Sequence, residues 1–363
     1  METERNLEIL NRILSLGEAW WPGTGWVTIK FGFAASMDVF SRILSLAIAW
    51  AFEMVFGYPR WLYARIGHPV TWMGALIGWL DRRLNFAEDA PSTRRGAGIV
   101  TTGVLVLVAG VGGYVVERLC LSLTYGFIPL GLIASSLIAS KSLGDHVEDV
   151  AHGLEVGGLA GGRKAVSMIV GRNPETLDEP GVCRAAIESL AENFSDGVVA
   201  PVFWYALFGL PGIAVYKIIN TADSMIGHRT PRHEAFGWAA ARLDDWLNLI
   251  PARLTALVIS AAAFISHRRG RAALAAVRRD AGKHRSPNAG WPEAAMAGAL
   301  DLRLAGPRIY GETLVEDAYM GNGRADAGAA DIRRALDLYH MACVILSAVI
   351  GLLTFYLIYK QYQ

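Results

Sequence analysis

The chain of 363 residues carries 34 Lys and Arg against 33 Asp and Glu, a formal net charge of +1, and 3 cysteines. Such a balance offers no basic stripe for nucleic acid, and Cys120, Cys183 and Cys343 are too scattered for a disulfide framework or a cysteine-based metal site. With 53% hydrophobic and 18% charged residues and a mean hydropathy of +0.32, the chain also falls outside soluble proteins, in which about 25% of residues are charged.

Residues 1–37 read as an N-terminal extension. Leu7, Leu10, Ile13 and Leu14 give it an amphipathic start suited to a membrane surface, while Glu2, Glu4, Arg5 and Glu8 exclude a signal peptide. Residues 38–363 form the membrane domain. Four uncharged runs, 96–116, 119–140, 197–216 and 341–359, each approach the ~20 residues a helix needs to cross ~30 Å of hydrocarbon. Two weaker segments join them: 43–52, bracketed by Arg42 and Glu53, and 254–266, which is short. The expected fold is therefore all-α, a polytopic integral membrane protein with about four to six membrane-embedded helices and long, partly helical polar segments.

Those polar segments, 58–95, 141–196, 220–249 and 267–340, are too long to be turns. Leu143, Val147, Val150 and Leu154 recur at helical spacing and predict a helix over 141–166. A second helix is predicted over about 181–196, with Pro174 and Pro180 bracketing the break between the two. If every segment crosses, 58–95, 142–196 and 267–340 share one side and hold most of the Lys and Arg, which places them in the cytoplasm and the protein in the inner membrane. That arrangement puts a membrane between the polar clusters around Asp196 and Asp223. Pro201 and the Gly209-Leu210-Pro211-Gly212 break make 197–216 a candidate re-entrant hairpin, which would return both clusters to one face.

Three clusters carry potential chemistry. Glu188, Glu192 and Asp196 are spaced four apart and would form one acidic stripe on a helix. Neighbouring carboxylates need a cation, and hard oxygen ligands suit Mg²⁺ bridging protein to phosphate; the competing reading is a solvated helix face. Asn220 and Asp223 follow the broken apolar run, with Lys217 just inside it, where a polar group is costly and tends to be functional. Helix capping with a snorkelling lysine competes with that reading. Asp244, Asp245, Asn248 and Arg253 form the third cluster, readable as a metal–phosphate site or as a structural ion pair. His68 and the loop around Asn288 are turn-rich and not diagnostic alone. The stretch 157–165 superficially resembles a phosphate loop but lacks the Gly-Lys-Ser/Thr ending, so any ATP site must be nonstandard.

At these clusters the chain resembles the CobD/CbiB family of membrane-bound adenosylcobinamide-phosphate synthases. The matching blocks, in order, are Gly67-His-Pro-Val-Thr-Trp-Met-Gly74, Glu188-Ser-Leu-Ala-Glu-Asn-Phe-Ser-Asp-Gly-Val-Val-Ala-Pro201, Asn220-Thr-Ala-Asp-Ser-Met225, Phe236-Gly-Trp-Ala-Ala-Ala-Arg-Leu-Asp-Asp245, Asn248-Leu-Ile-Pro-Ala-Arg253 and Ser286-Pro-Asn-Ala-Gly-Trp-Pro-Glu293. The resemblance implies an ATP- and Mg²⁺-dependent ligase joining a carboxylate of adenosylcobyric acid to (R)-1-amino-2-propanol or its O-phosphate. On it, Glu188, Glu192, Asp196, Asp223 and Asp244 are the expected catalytic groups, and Glu192, Asp196, Asp223 and Asp245 the expected Mg²⁺ ligands. His68, Arg172, Asn193, Lys217, Asn220, Arg253 and Asn288 are the expected substrate contacts. The lipid bilayer is the expected surrounding, with other membrane enzymes of cobalamin assembly, or further copies of the chain, as candidate partners. The chain departs from the family at Tyr58 and Asn173, where acidic residues are frequent; Glu53 and Asp178 are the nearby candidates to replace them. A membrane alcohol phosphotransferase, a signalling protein related to the ampicillin-resistance regulator AmpE, and a transporter are the competing readings.

Overall fold

The computed structural model describes residues 31–363 except 172, 267–268, 307, 311–312, 316 and 362, and leaves the side chains of 31–38, 60 and 308–315 undescribed. Residues 1–30, with the amphipathic start of the extension, and Arg172 therefore lie outside the described residues. Within the described part the order is α1 (Phe31–Phe56), α2 (Arg60–Ile66), α3 (Pro69–Leu84), α4 (Pro91–Leu121), α5 (Phe127–Ser135), α6 (Ser140–Val166), α7 (Glu179–Phe194) and α8 (Ala200–Ala222). It continues with α9 (Trp238–Leu247), α10 (Leu249–Ser266), α11 (Gly270–Asp280), α12 (Gly290–Leu300), four short strands and α13 (Ala329–Gln361). The protein is all-α and multi-pass, as its apolar runs predict: among the described residues, 6 segments are long and apolar enough to cross a membrane. The weak segments qualify because their helices extend past the clean runs, over Val39–Phe56 and Leu249–Ser266.

Two of the six segments are not straight rods. The uncharged run 119–140 is divided: α4 ends at Leu121, a turn follows, and α5 has 9 residues. At 1.5 Å per residue α5 covers about 14 Å, roughly half the hydrocarbon thickness. The chain then breaks at 136–139 before α6 begins, and Ala139 donates its N–H to the carbonyl of Gly197 across that break (3.0 Å). Further along, α6 buries Leu143, Val147, Val150 and Leu154, the spacing that predicts it. It reverses at Gly158 (φ 56°), which brings Gly161 against Gly153.

The decisive bend lies in α8. Gly209 has φ 65° and ψ −151°, outside helical space, in a region that strains any residue with a Cβ. Tyr216 nevertheless donates its phenol O–H to the carbonyl of Asp196, 20 residues earlier, at 3.0 Å. A straight helix would separate those residues by about 30 Å, so α8 is a hairpin whose limbs lie side by side. Its tip is held from outside. Glu117 of α4 accepts the N–H of Leu210 (2.7 Å), and Arg42 of α1 donates to the carbonyl of Leu207 (2.9 Å). These satisfy backbone groups that a break inside an apolar environment would otherwise leave unpaired. Gly113 lets α4 lie against the tip, because a Cβ there would sit 2.8 Å from the Cα of Pro211.

Between α10 and α13, α11 and α12 pack against α10, while α12 and the strand Leu304–Ala305 pack against α7, and the short strands form two small antiparallel ribbons. One ribbon pairs Leu304–Ala305 with Tyr319–Met320, the other Arg308–Tyr310 with Thr313–Val315. Buried Asp280 anchors this part. Its carboxylate accepts from Arg279, from Lys283 (3.0 Å) and from the N–H of Gly321 (3.0 Å). Burial works against the charged form, but these donors outweigh it and hold Asp280 below the usual carboxylate range.

Candidate functional site

The hairpin determines which residues meet. Both of its ends pass into π turns, Ser195–Val199 at the first and Asp223–Gly227 at the second. A π turn inserts a residue into the helical register and is frequent at functional sites. The first turn carries Asp196 and the second carries Asp223, while α9 lies beside the second limb and supplies Asp244.

The three sequence clusters thereby become one network with a gap. Asp244 is buried and accepts from Asn220 (3.3 Å) at one oxygen and from Asn248 (3.0 Å) at the other. Asn248 accepts in turn from the phenol of Tyr216 (2.9 Å), which also holds the carbonyl of Asp196. Asp196 lies within electrostatic reach of Asp244, Glu192 and the Lys217 ammonium. Burial, reinforced by the charge of Asp223, pushes Asp244 up to about 7, although Asn220 and Asn248 favour its ionised form. Burial also raises Asp245, against the nearby positive charge of Arg242.

His68 reaches the same place from α3. It caps that helix, its Nδ1 accepting the N–H of Val70 (3.2 Å), which leaves Nε2 to carry the ring proton when the imidazole is neutral. Burial first, and then the charge of Lys217, lower its pKa and favour that neutral ring. Tyr58 donates to the carbonyl of Gly67 (2.7 Å) and packs edge-on against His68 (4.4 Å between centroids). Glu53 and Asp178, the candidates to replace the missing acids, are both engaged in capping. Glu53 accepts from Ser140 and from the N–H of Lys141 (2.9 Å), and Asp178 accepts from the N–H of Gly181 (2.8 Å). Asn173 caps the following turn through the N–H of Glu175 (3.0 Å).

The predicted acidic stripe is split. Glu188 is buried and accepts the N–H of Ala305 (2.8 Å), so it faces the ribbon, whereas Glu192 is exposed and Asp196 half-buried. The cause is the tight packing of α7, in which most positions between Gly181 and Ala191 are buried and Glu192 and Asn193 in the last turn open to solvent. Arg253 and Asn288 are likewise tied to each other. Arg253 donates to Asn288 Oδ1 (3.1 Å) and to the carbonyl of Leu249 (2.8 Å) and lies over the ring of Trp291, while Asn288 donates to the carbonyl of Asp245 (2.8 Å). Together they brace the α9–α10 junction behind Asp245.

A cavity of about 420 Å³ opens beside this cluster, between α6, α7 and residues 168–171. Lys217 and Asn193, two of the residues expected to contact substrate, line it, and so do Ser142, His146 and Ser189, which sequence reasoning did not select. Ser189 lies in the matching block 188–201, but nothing in a one-dimensional pattern marks Ser142 or His146, because the cavity exists only where the break at 136–139 meets the turn at 195–199. Tyr216 was hidden for a related reason, lying inside an apolar run. Among the described residues, no three His, Cys, Asp or Glu side chains converge into a preformed metal cage. Mg²⁺ bound to substrate phosphates needs only one or two protein carboxylates, which Asp196, Asp223 and Asp244 would supply once ionised.

The chain matches the family described as CobD/Cbib protein over residues 46–339. It is 53% identical over 313 residues to a Cobalamin biosynthesis protein CobD of Sinorhizobium sp, covering 85% of this chain and 97% of that protein. Proteins of the same name from Rhizobium meliloti and Rhodobacter capsulatus are 52% and 51% identical. These alignments cover 84% and 85% of this chain, and 94% and 96% of the relatives. No solved structure matches the chain. A match across most of its length, with relatives near half identity covered almost end to end, means that this chain belongs to the CobD/CbiB family.

Proposed function

We propose that the protein acts in cobalamin biosynthesis as an inner-membrane ligase. It forms the amide bond between a propionate carboxylate of adenosylcobyric acid and the amine of (R)-1-amino-2-propanol or its O-phosphate, using ATP. The observation that carries this reading is the convergence of Asp196, Asn220 and Asp244, from three family-matching blocks, beside Lys217 on one side of the hairpin.

A carboxylate is a poor electrophile and must be activated. In the reaction we propose, a corrinoid carboxylate oxygen attacks the γ-phosphorus of ATP, the bond to the bridging oxygen breaks and ADP leaves. The amine then attacks the acyl-phosphate carbon, loses a proton and expels inorganic phosphate. Mg²⁺, held by Asp196 and Asp244 with Asp223 nearby, would supply neutralisation of phosphate charge. Lys217 provides a fixed positive charge at the same place. In this reading neutral His68 gives up its Nδ1 bond to the Val70 N–H and accepts the amine's proton at that nitrogen.

Purified protein supplied with adenosylcobyric acid, ATP, Mg²⁺ and each amine tests the reading. Amide product is expected with one of them, and its absence with both contradicts the reading. Oxygen-18 placed in the corrinoid carboxylate is expected to appear in released phosphate; unlabelled phosphate contradicts the acyl-phosphate step alone.

A further inference from the structure

The cavity beside Lys217 has an uneven chemistry. Its wall holds one ammonium, that of Lys217, and the neutral polar groups of Ser142, His146, Ser189 and Asn193, but no carboxylate. The carboxylates of Asp196 and Asp244 stand beside Lys217 without belonging to that wall. A cavity so lined favours an anion, with a cation-binding edge next to it. Its volume, about 420 Å³, falls in the range of small-ligand pockets, about 300–1,000 Å³. A corrinoid with its side chains is far too large for it.

We propose that this cavity is the nucleoside-triphosphate subsite of the reaction above, with the phosphates toward Lys217 and the base toward His146 and residues 168–170. The inference rests on that reading and adds the residues that hold the nucleotide. Two hydrogen-bonding details support the orientation. His146 donates from Nδ1 to the carbonyl of Ser142 (2.6 Å), so its Nε2 is the acceptor nitrogen of a neutral ring, suited to an exocyclic amine of a base. Asn193 spends its Nδ2 on the carbonyl (2.9 Å) and hydroxyl (3.1 Å) of Ser189, which leaves its carbonyl oxygen to accept from a ribose hydroxyl. Ser189 also donates to the carbonyl of Ile169 (2.9 Å), tying residues 168–171 to α7 so that they form a fixed wall. Met168, exposed and apolar, presents a surface for the face of a base.

The test is photolabelling of the full chain in lipid nanodiscs with 8-azido-ATP, followed by peptide mapping. We expect label on peptides containing 140–146 or 168–171, suppressed by excess ATP and unaffected by aminopropanol phosphate. Lys217→Gln should raise the ATP concentration needed for suppression by about tenfold, the order expected for a lost charge-assisted contact. Ser142→Trp, which fills the cavity, should abolish the label. ATP-protected label on other peptides overturns the cavity assignment and leaves the ATP-dependent reading intact. Protection at these peptides by aminopropanol phosphate but not by ATP makes the cavity the amine's site and also overturns it. Label that ATP does not suppress anywhere overturns both this assignment and the ATP requirement.

Discussion

The phenol of Tyr216 bonds to the backbone carbonyl of Asp196 although 20 residues lie between them. That contact closes the hairpin of α8 and places the acidic end of α7 beside Lys217 and Asp244. Buried tyrosine hydroxyls need a partner, and this one has two, Asp196 and Asn248. Tyr216→Phe is expected to cost about 1–3 kcal/mol through the unpaired groups it leaves. Catalytic turnover should fall more than the unfolding midpoint does; equal activity in the variant would show that the bridge does not position Asp196.

The hairpin tip depends on a charge far from the site. Glu117→Ala removes the acceptor for the Leu210 N–H and is expected to destabilise the protein by about 1–3 kcal/mol. Glu117→Gln keeps an oxygen acceptor and should recover part of that loss. Gly209→Ala should be at least as damaging, because its φ is 65° and a Cβ would lie 2.2 Å from Glu117 Oε2. Thermal unfolding of the three variants in detergent checks this order.

Asp244 gives a pH signature. Its folded pKa, about 7, lies above the ordinary 3.8, so between those values the folded state binds more protons than the unfolded state. Stability therefore falls as pH rises from about 4 to about 7, and this contribution is at its most unfavourable above 7. Asp244→Asn should remove that slope while abolishing turnover. Mg²⁺ should flatten it in the wild type by favouring the ionised carboxylate. A wild type and variant with parallel stability–pH curves would exclude Asp244 as the source.

The hydroxyl of Tyr58 fixes the loop that presents His68. Tyr58→Phe removes that bond, worth about 1 kcal/mol, and should lower kcat/KM several-fold with little change in unfolding temperature. Steady-state kinetics at saturating ATP distinguishes this from a wholly structural effect, which would move both.

How far these features were legible in the sequence depends on whether a local pattern encodes them. The uncharged runs mark the membrane segments, since charge exclusion is a property of each segment alone. Gly209 and the two prolines in the same run, Pro201 and Pro211, announce the hairpin bend. Gly158 gives no comparable signal, being one of several glycines in a polar helix. The run 119–140 looks unbroken because every residue in it is uncharged, yet its helix breaks twice, at 122–126 and at 136–139, where Ala139 bonds to the π turn. Glu188 matches the spacing of Glu192 and Asp196 but was drawn away by the Ala305 N–H, a tertiary partner that spacing does not reveal. Arg253 and Asn288 share that fate, each being engaged by the other.

The shared site requires that 196 and 223 lie on one membrane face, joined by a hairpin that does not cross. The described cysteines, Cys120, Cys183 and Cys343, are all buried, so single cysteines placed at exposed Glu192, Ser224 and Tyr125 can be probed in oriented vesicles with an impermeant maleimide. Labelling of Glu192→Cys and Ser224→Cys from the same side, with Tyr125→Cys labelled only from the other, is the predicted result. Labelling of Glu192→Cys and Ser224→Cys from opposite sides would contradict the hairpin and, with it, the shared site.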